Sequence, residues 1–396
     1  MSSPPSSDCA VPSTTQYFPA LTGIRAVAAF IVLLFHLNPL TYAYQPYVLI
    51  RWLNYFIEQL HVGVPIFFVL SGFLLANRYI TSTELTASWL KLYLWKRFIR
   101  IYPIYFILTI ATFLLIQYTL EANAGAWHAP GFSYKDKIAT VFLNVTLLKA
   151  FFKTYLTTGI STAWSLTVEE NFYFLTPFLF VSLRRSSRYL LLYPIMLVST
   201  GSLLVFIASL SPRYIYGFMD SMNFMLRFTF FGRCAEFMSG IGLALYISKV
   251  ARRSSVSSTF TMIGVLGIIF CIILLAIIKF NHVPTQVWPT SGWSIICQNF
   301  ILPLFVSTLF YGLICEKSFI QRVLSTPLFS ILGKSSYVLY LIHIGPIENA
   351  FTYYISDNVL LKLVTYYLTS ILIFTWIEEP IRIRLLRHKP FYFSLK

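Results

Sequence analysis

Four groups of residues in this chain have the types and spacing to do chemistry. The first is Arg25 and His36, eleven positions apart. On a helix that separation is three full turns plus about 20°, with a rise of roughly 16 Å. One helix face thus carries a cation and, further along, an imidazole. A neutral imidazole is a general base, and a guanidinium binds anions. The second group is Arg97 and Arg100, three apart on one helical face, with Lys91 and Lys96 just before them. Such a cluster can hold phosphates or simply anchor a helix at a cytosolic membrane edge. The third is Trp164-Ser165-Leu166-Thr167-Val168-Glu169-Glu170. Ser165 is placed to cap a helix, which puts Glu169 and Glu170 near the depth of His36. His plus Glu suits a general base with an orienting carboxylate, a buried structural pair, or proton handling in a transporter. The fourth is His343, midway along an apolar segment.

Other polar residues have plainer readings. Arg233 and Glu236 are three apart and can neutralise each other. The stretch from Gly63 to Phe73, with Pro65, Ser71 and Gly72, suits tight helix packing or the wall of a substrate channel. His61 sits just outside it. Glu378-Glu379-Pro380 stops a helix and can pair with the basic residues that follow. No spacing of His, Cys, Asp or Glu points to a metal, and no P-loop or GxSxG elbow is present.

The elements that must position these groups are membrane helices. Of 396 residues, 57% are hydrophobic and only 11% are charged, against roughly 25% charged in soluble domains. A soluble enzyme of this size could not bury that much apolar surface. The fold class expected is all-α and polytopic, with ten spans near 21–40, 59–80, 98–118, 165–183, 189–209, 224–247, 261–280, 294–315, 330–351 and 359–377. Residues 1–16 read as a disordered tail, 17–385 as the membrane domain, and 386–396 as a basic cytosolic tail. Within the long outer connection 119–163, the segment 138–152 reads as an interfacial or re-entrant helix. No second soluble domain is expected after 378.

The net charge of +16 follows from this layout and does not call for nucleic acid. With both termini cytosolic, twenty of the 30 basic residues fall on inner segments and nine on outer ones, as the positive-inside bias requires. The five cysteines form no CxxC pair and read as small apolar residues.

Six blocks, in order, resemble the acyltransferase-3 family of integral membrane acyltransferases. They are Leu21 to Ala26 followed by His36, Gly63 to Phe73, Arg97 to Pro103, Trp164 to Tyr173, Gly333 to His343, and Glu379-Pro380. The resemblance runs from about 17 to 385. It implies transfer of an acyl group, usually acetyl, from acetyl-CoA on the cytosolic side to a hydroxyl of an extracytoplasmic carbohydrate: O-antigen of lipopolysaccharide, other envelope polysaccharides, or peptidoglycan. It implies an enzyme of the bacterial inner (cytoplasmic) membrane that touches lipids, a coenzyme A thioester and a glycan or glycolipid. By position, Arg25 and His36 match the essential pair of the family's first helix, Arg97 and Arg100 its basic pair, and Glu170 the Glu of its Trp-Ser-Leu block.

On that reading Arg97, Arg100 and Arg25 bind the phosphates of coenzyme A. His36 is the base, Glu170 orients it, and Glu169, Ser71, His343 and Trp164 line the substrate path. An acyl-His36 intermediate is a second route. Some relatives add a soluble esterase-like domain. Without it, the acceptor step uses the membrane core or a separate partner. The rival reading from the residues alone is a proton-coupled transporter or flippase of an envelope component.

Overall fold

The computed structural model describes residues 17–40, 47–118, 125–128, 131–210, 216–249, 257–280 and 292–387. The expected tail 1–16, most of the basic tail, Cys9, His282 and His388 lie outside the described residues. In chain order the helices are α1 (Pro19–His36), α2 (Val48–Ile57), α3 (Gly63–Tyr79), α4 (Ala87–Tyr118), α5 (Tyr134–Val145) and α6 (Trp164–Arg185). Then come α7 (Tyr189–Ser209), α8 (Met222–Phe228), α9 (Cys234–Lys249), α10 (Thr259–Phe280), α11 (Gly292–Ile296) and α12 (Leu302–Cys315). The chain continues through α13 (Phe319–Leu324), α14 (Pro327–Ile342), α15 (Pro346–Tyr354), α16 (Val359–Ile373) and α17 (Glu379–Arg387). The described residues are all-α apart from isolated bridge residues, among them an antiparallel bridge between Phe152 and Phe218.

Seven helices among the described residues are long and apolar enough to cross a membrane, or eight if α14 and α15 count as one broken span. This corrects the ten-span expectation. The segment expected at 165–183 forms α6, whose apolar run is interrupted by Glu169 and Glu170 and ends in Arg184-Arg185. The segment at 224–247 is broken between α8 and α9, and α9 has only 16 residues. Both lean on neighbouring helices more than on lipid: Phe172 and Phe180 of α6 and Phe237 of α9 are almost wholly buried.

Glycine sets the helix spacing where the site is built. A Cβ on Gly72 of α3 would strike the Phe237 carbonyl of α9, and one on Gly240 of α9 would strike the Val69 carbonyl of α3. The two backbones touch, as small residues permit in lipid. Gly333 does the same for α14 against the Thr22 carbonyl of α1, so the helix carrying Arg25 and His36 is pressed against the helix that ends before His343. There α14 stops. Gly345 takes φ +92°, a conformation glycine adopts without penalty, and Pro346 opens α15, which leaves at 93° to α14.

The outer connection is also built. α5 starts with a capping box, Ser133 with Asp136. The chain turns back along α4: His128 bonds the Ile116 carbonyl at 2.9 Å, and Tyr105 donates to the Asn144 carbonyl at 2.8 Å. The fully buried Lys149 donates to the carbonyls of Thr158 (2.7 Å) and Ile160 (2.5 Å), which holds the approach to α6. Ser165 does not cap α6. It lies inside the first turn, donates to the Thr162 carbonyl (3.1 Å) and pairs with the Tyr340 hydroxyl (2.7 Å).

Candidate active site

Arg25, Arg97 and Arg100 converge. They line one cavity of about 480 Å³ between α1, α3, α4, α6, α14 and the 374–387 segment. Arg78, Lys96, Lys334 and Arg382 also line it, against three carboxylates, Glu169, Glu378 and Glu379. Arg382 is taken up by Glu379 at 2.5 Å. The remaining balance is positive, which suits an anion. Arg25 and Arg100 both sit in the field of Glu169 and Glu378. Arg97 donates to the Tyr79 hydroxyl (3.2 Å) and lies over the rings of Tyr79, Tyr93 and Tyr173 at 5.4, 5.9 and 5.5 Å. Aromatic faces hold a guanidinium in place without neutralising it.

The two adjacent glutamates separate. Successive helical side chains point about 100° apart, so α6 aims Glu169 and Glu170 in different directions. Glu169 faces the arginine cavity and accepts from Ser71 Oγ at 2.5 Å and from the Tyr173 hydroxyl. Glu170 faces a second cavity between α4 and α6, where the Tyr102 hydroxyl donates to it at 2.5 Å. The expected Glu170–His36 contact is not formed.

His36 is oriented by another histidine. His343 Nδ1 lies 3.0 Å from the Leu339 carbonyl, and His36 Nδ1 lies 3.0 Å from the Val32 carbonyl. Carbonyls only accept, so both Nδ1 atoms carry the proton. His343 Nε2 is then an acceptor, and it lies 3.0 Å from His36 Nδ1. The His36 N–H is shared between Val32 and His343. Its Nε2 is left with a lone pair, as a base requires. The imidazoles sit 4.9 Å apart, centre to centre. His61 is not part of this pair: it packs across the Phe35 ring, 5.6 Å away, and bonds the Glu58 carbonyl at 2.9 Å.

The histidine pair does not line the arginine cavity. Phe67 and Tyr340 both line the cavity, their rings are 6.2 Å apart, and Tyr340 stands 5.8 Å from the His343 ring. Arg25 and His36 share a helix face by their spacing, but only Arg25 lines the cavity. Trp164 points elsewhere and packs edge-on against Phe228 at 5.1 Å.

Arg233 and Glu236 do pair, at 2.9 Å and fully buried, with Asn299 held by Arg233 at 3.0 Å. Among the described residues no group of three or more His, Cys, Asp or Glu is placed to hold a metal ion. The tyrosines were missed from the sequence. Tyr102, Tyr173 and Tyr340 supply hydroxyls to buried acceptors, and their signal was a phenol in the middle of an apolar segment, which needs a partner there.

A family model described as an acyltransferase domain matches residues 18–379. The chain belongs to the acyltransferase-3 family. It is 25% identical over 385 residues to O-acetyltransferase OatA of Staphylococcus aureus strain NCTC 8325, covering 93% of this chain and 57% of that protein. OatA of strain COL gives the same values. The chain thus spans a little over half the length of these curated relatives. No solved structure matches it. A multi-pass helical acyltransferase with bacterial relatives resides in the bacterial inner membrane.

Proposed function

We propose that this acyltransferase moves an acetyl group from acetyl-CoA, bound from the cytosol, to a hydroxyl of an extracytoplasmic envelope glycan, with His36 as the general base. The observation that carries the reading is the cavity lined by Arg25, Arg97 and Arg100, one of whose lining residues, Tyr340, stands 5.8 Å from the ring of the His343 that pairs with His36. Both termini are cytosolic in this reading, which the crowding of Lys and Arg around the arginine cavity supports. The phosphates of coenzyme A meet Arg25, Arg97 and Arg100. The pantetheine arm extends along the face of α1, where the rise from Arg25 to His36 is roughly 16 Å. Its thioester reaches the histidines once the Phe67 and Tyr340 rings turn aside.

His36 Nε2 then accepts the proton of the acceptor hydroxyl as that oxygen attacks the thioester carbonyl. The C–S bond breaks, and the leaving coenzyme A thiolate takes that proton from His36 Nε2, which returns to its neutral form. His343 holds the proton on His36 Nδ1 and so keeps Nε2 available, the part a carboxylate plays for the imidazole of other acyl-transfer sites. Glu169, fixed by Ser71 and Tyr173, balances the charge of Arg25 and Arg100 when no donor is bound. Glu170 has no contact with the base and is a structural partner of Tyr102.

Relatives named as O-acetyltransferases support acetyl as the transferred group and oxygen as the acceptor atom. Mass spectrometry of envelope glycans from cells with and without this gene tests the reading. A defined sugar should lose one acetyl mass in the deletion and regain it on complementation. Unchanged glycans would remove the proposed acceptor class.

A further inference from the structure

The second cavity shares Arg97 and Ile101 with the arginine cavity, and apart from Tyr173, which holds Glu169, its other lining residues have no part in the acyl-transfer reading. It is a furrow of about 900 Å³ between α4 and α6, lined also by Val145 at the end of α5 and by Thr146 and Leu148 just after it. Along α4, Trp95, Phe98 and Tyr102 stack face to face, with ring centres 5.6 and 4.7 Å apart and planes inclined by 11° and 17°. Phe98 and Phe174 on its flanks are 43% and 54% exposed, so the furrow opens sideways onto the lipid. Its two ends differ. At the mouth is Lys91, exposed and, among the described residues, in no ion pair. Arg97 also lines the furrow, and its guanidinium lies over the Tyr79, Tyr93 and Tyr173 rings. Eleven residues further, roughly 16 Å along the helix, Tyr102 caps the Glu170 carboxylate. An apolar chain tip there meets a hydrogen-bonded pair and not a bare charge.

We propose that this furrow binds one anionic phospholipid, its phosphate against Lys91 and an acyl chain along the Trp95–Phe98–Tyr102 ladder. Charge complementarity selects the occupant. A stacked aromatic trench takes a hydrocarbon chain, and Lys91, the exposed one of the two cations that line it, takes a phosphate. The inference does not depend on which reaction the chain catalyses. The exposed apolar face of α7 offers a contrast within the same molecule. Leu191 and Ile195 there are 74% and 64% exposed, and neither lines the furrow or the arginine cavity.

The test uses the full chain in nanodiscs of phosphatidylcholine. These contain either phosphatidylglycerol or phosphatidylcholine with a photoactivatable acyl chain, at equal mole fraction, and adducts are mapped by peptide mass spectrometry. Adducts on 91–102 and 170–174 should favour phosphatidylglycerol by about fivefold, the worth of one Lys facing an anionic lipid, while α7 labels equally with both. Lys91→Glu, at an exposed position, should bring the furrow ratio to one or below and leave α7 unchanged. Leu148→Trp, which fills the furrow, should lower labelling there by both lipids. A wild-type furrow ratio near one, the same preference on α7, or an unchanged ratio in Lys91→Glu would overturn the proposal.

Discussion

Replacing His343 by Leu tests how the candidate base is prepared. The substitution removes the acceptor 3.0 Å from His36 Nδ1 and leaves that N–H with the Val32 carbonyl, also at 3.0 Å. One hydrogen bond of two is lost, worth about 0.5–1.5 kcal/mol net. If that energy is what holds the reactive tautomer, kcat falls about two- to twelvefold, since 1.4 kcal/mol is about tenfold. Removing the base itself in His36→Ala costs more, on the order of 10² to 10⁴. The donor KM should not move in His343→Leu, because neither histidine lines the arginine cavity. His343→Gln, whose amide oxygen can accept the same N–H, should recover most of the loss. The assay is turnover of labelled acetyl-CoA by purified protein, resolved into kcat and KM. A loss in His343→Leu as large as in His36→Ala, or a change confined to KM, would refute the positioning role.

Three further expectations follow from the geometry. Arg100→Gln removes one cation from the cavity floor and should raise the donor KM by about ten- to a hundredfold, the worth of a charged hydrogen bond, with kcat at saturation little changed. Gly240→Leu drives a side chain into the Val69 carbonyl and should destabilise the α3–α9 contact by about 1–3 kcal/mol or more, read as a lower apparent Tm in detergent. Lys149 lies in the connection between α5 and α6, outside the spans, where burial pushes its ammonium down to about 7 from 10.5. Between those values the unfolded chain holds more protons on this group, so its contribution makes stability rise with pH from 7 toward 10 and go flat below 7. Lys149→Met should remove that part of the pH dependence in thermal scans.

The residues that proved legible were those governed by local periodicity. Eleven positions between Arg25 and His36 fix one helix face whatever surrounds it, and three positions do the same for Arg97 and Arg100. What escaped depended on how helices rotate against one another. Nothing local says which of Glu169 and Glu170 faces the core. That is decided by the seating of α6 against Ser71 of α3 and Tyr102 of α4, contacts separated by 98 and 68 positions. The partner of His36 lies 307 positions away, and hydropathy marks His343 only as a polar residue before a Gly-Pro break. The span count was overestimated for a related reason. Apolar runs containing buried polar groups, as in α6, resemble lipid-facing spans, although much of their apolar surface packs on neighbouring helices.

The central claim is that His36 takes the proton that releases the acyl group from a coenzyme A thioester. Parallel turnover of labelled acetyl-CoA by wild-type protein and by folded His36→Ala, reconstituted in the same lipid, measures this most directly. The account predicts transfer or hydrolysis by the wild type and a loss of at least about a hundredfold in the variant, with donor binding retained. Wild-type turnover in His36→Ala would contradict it.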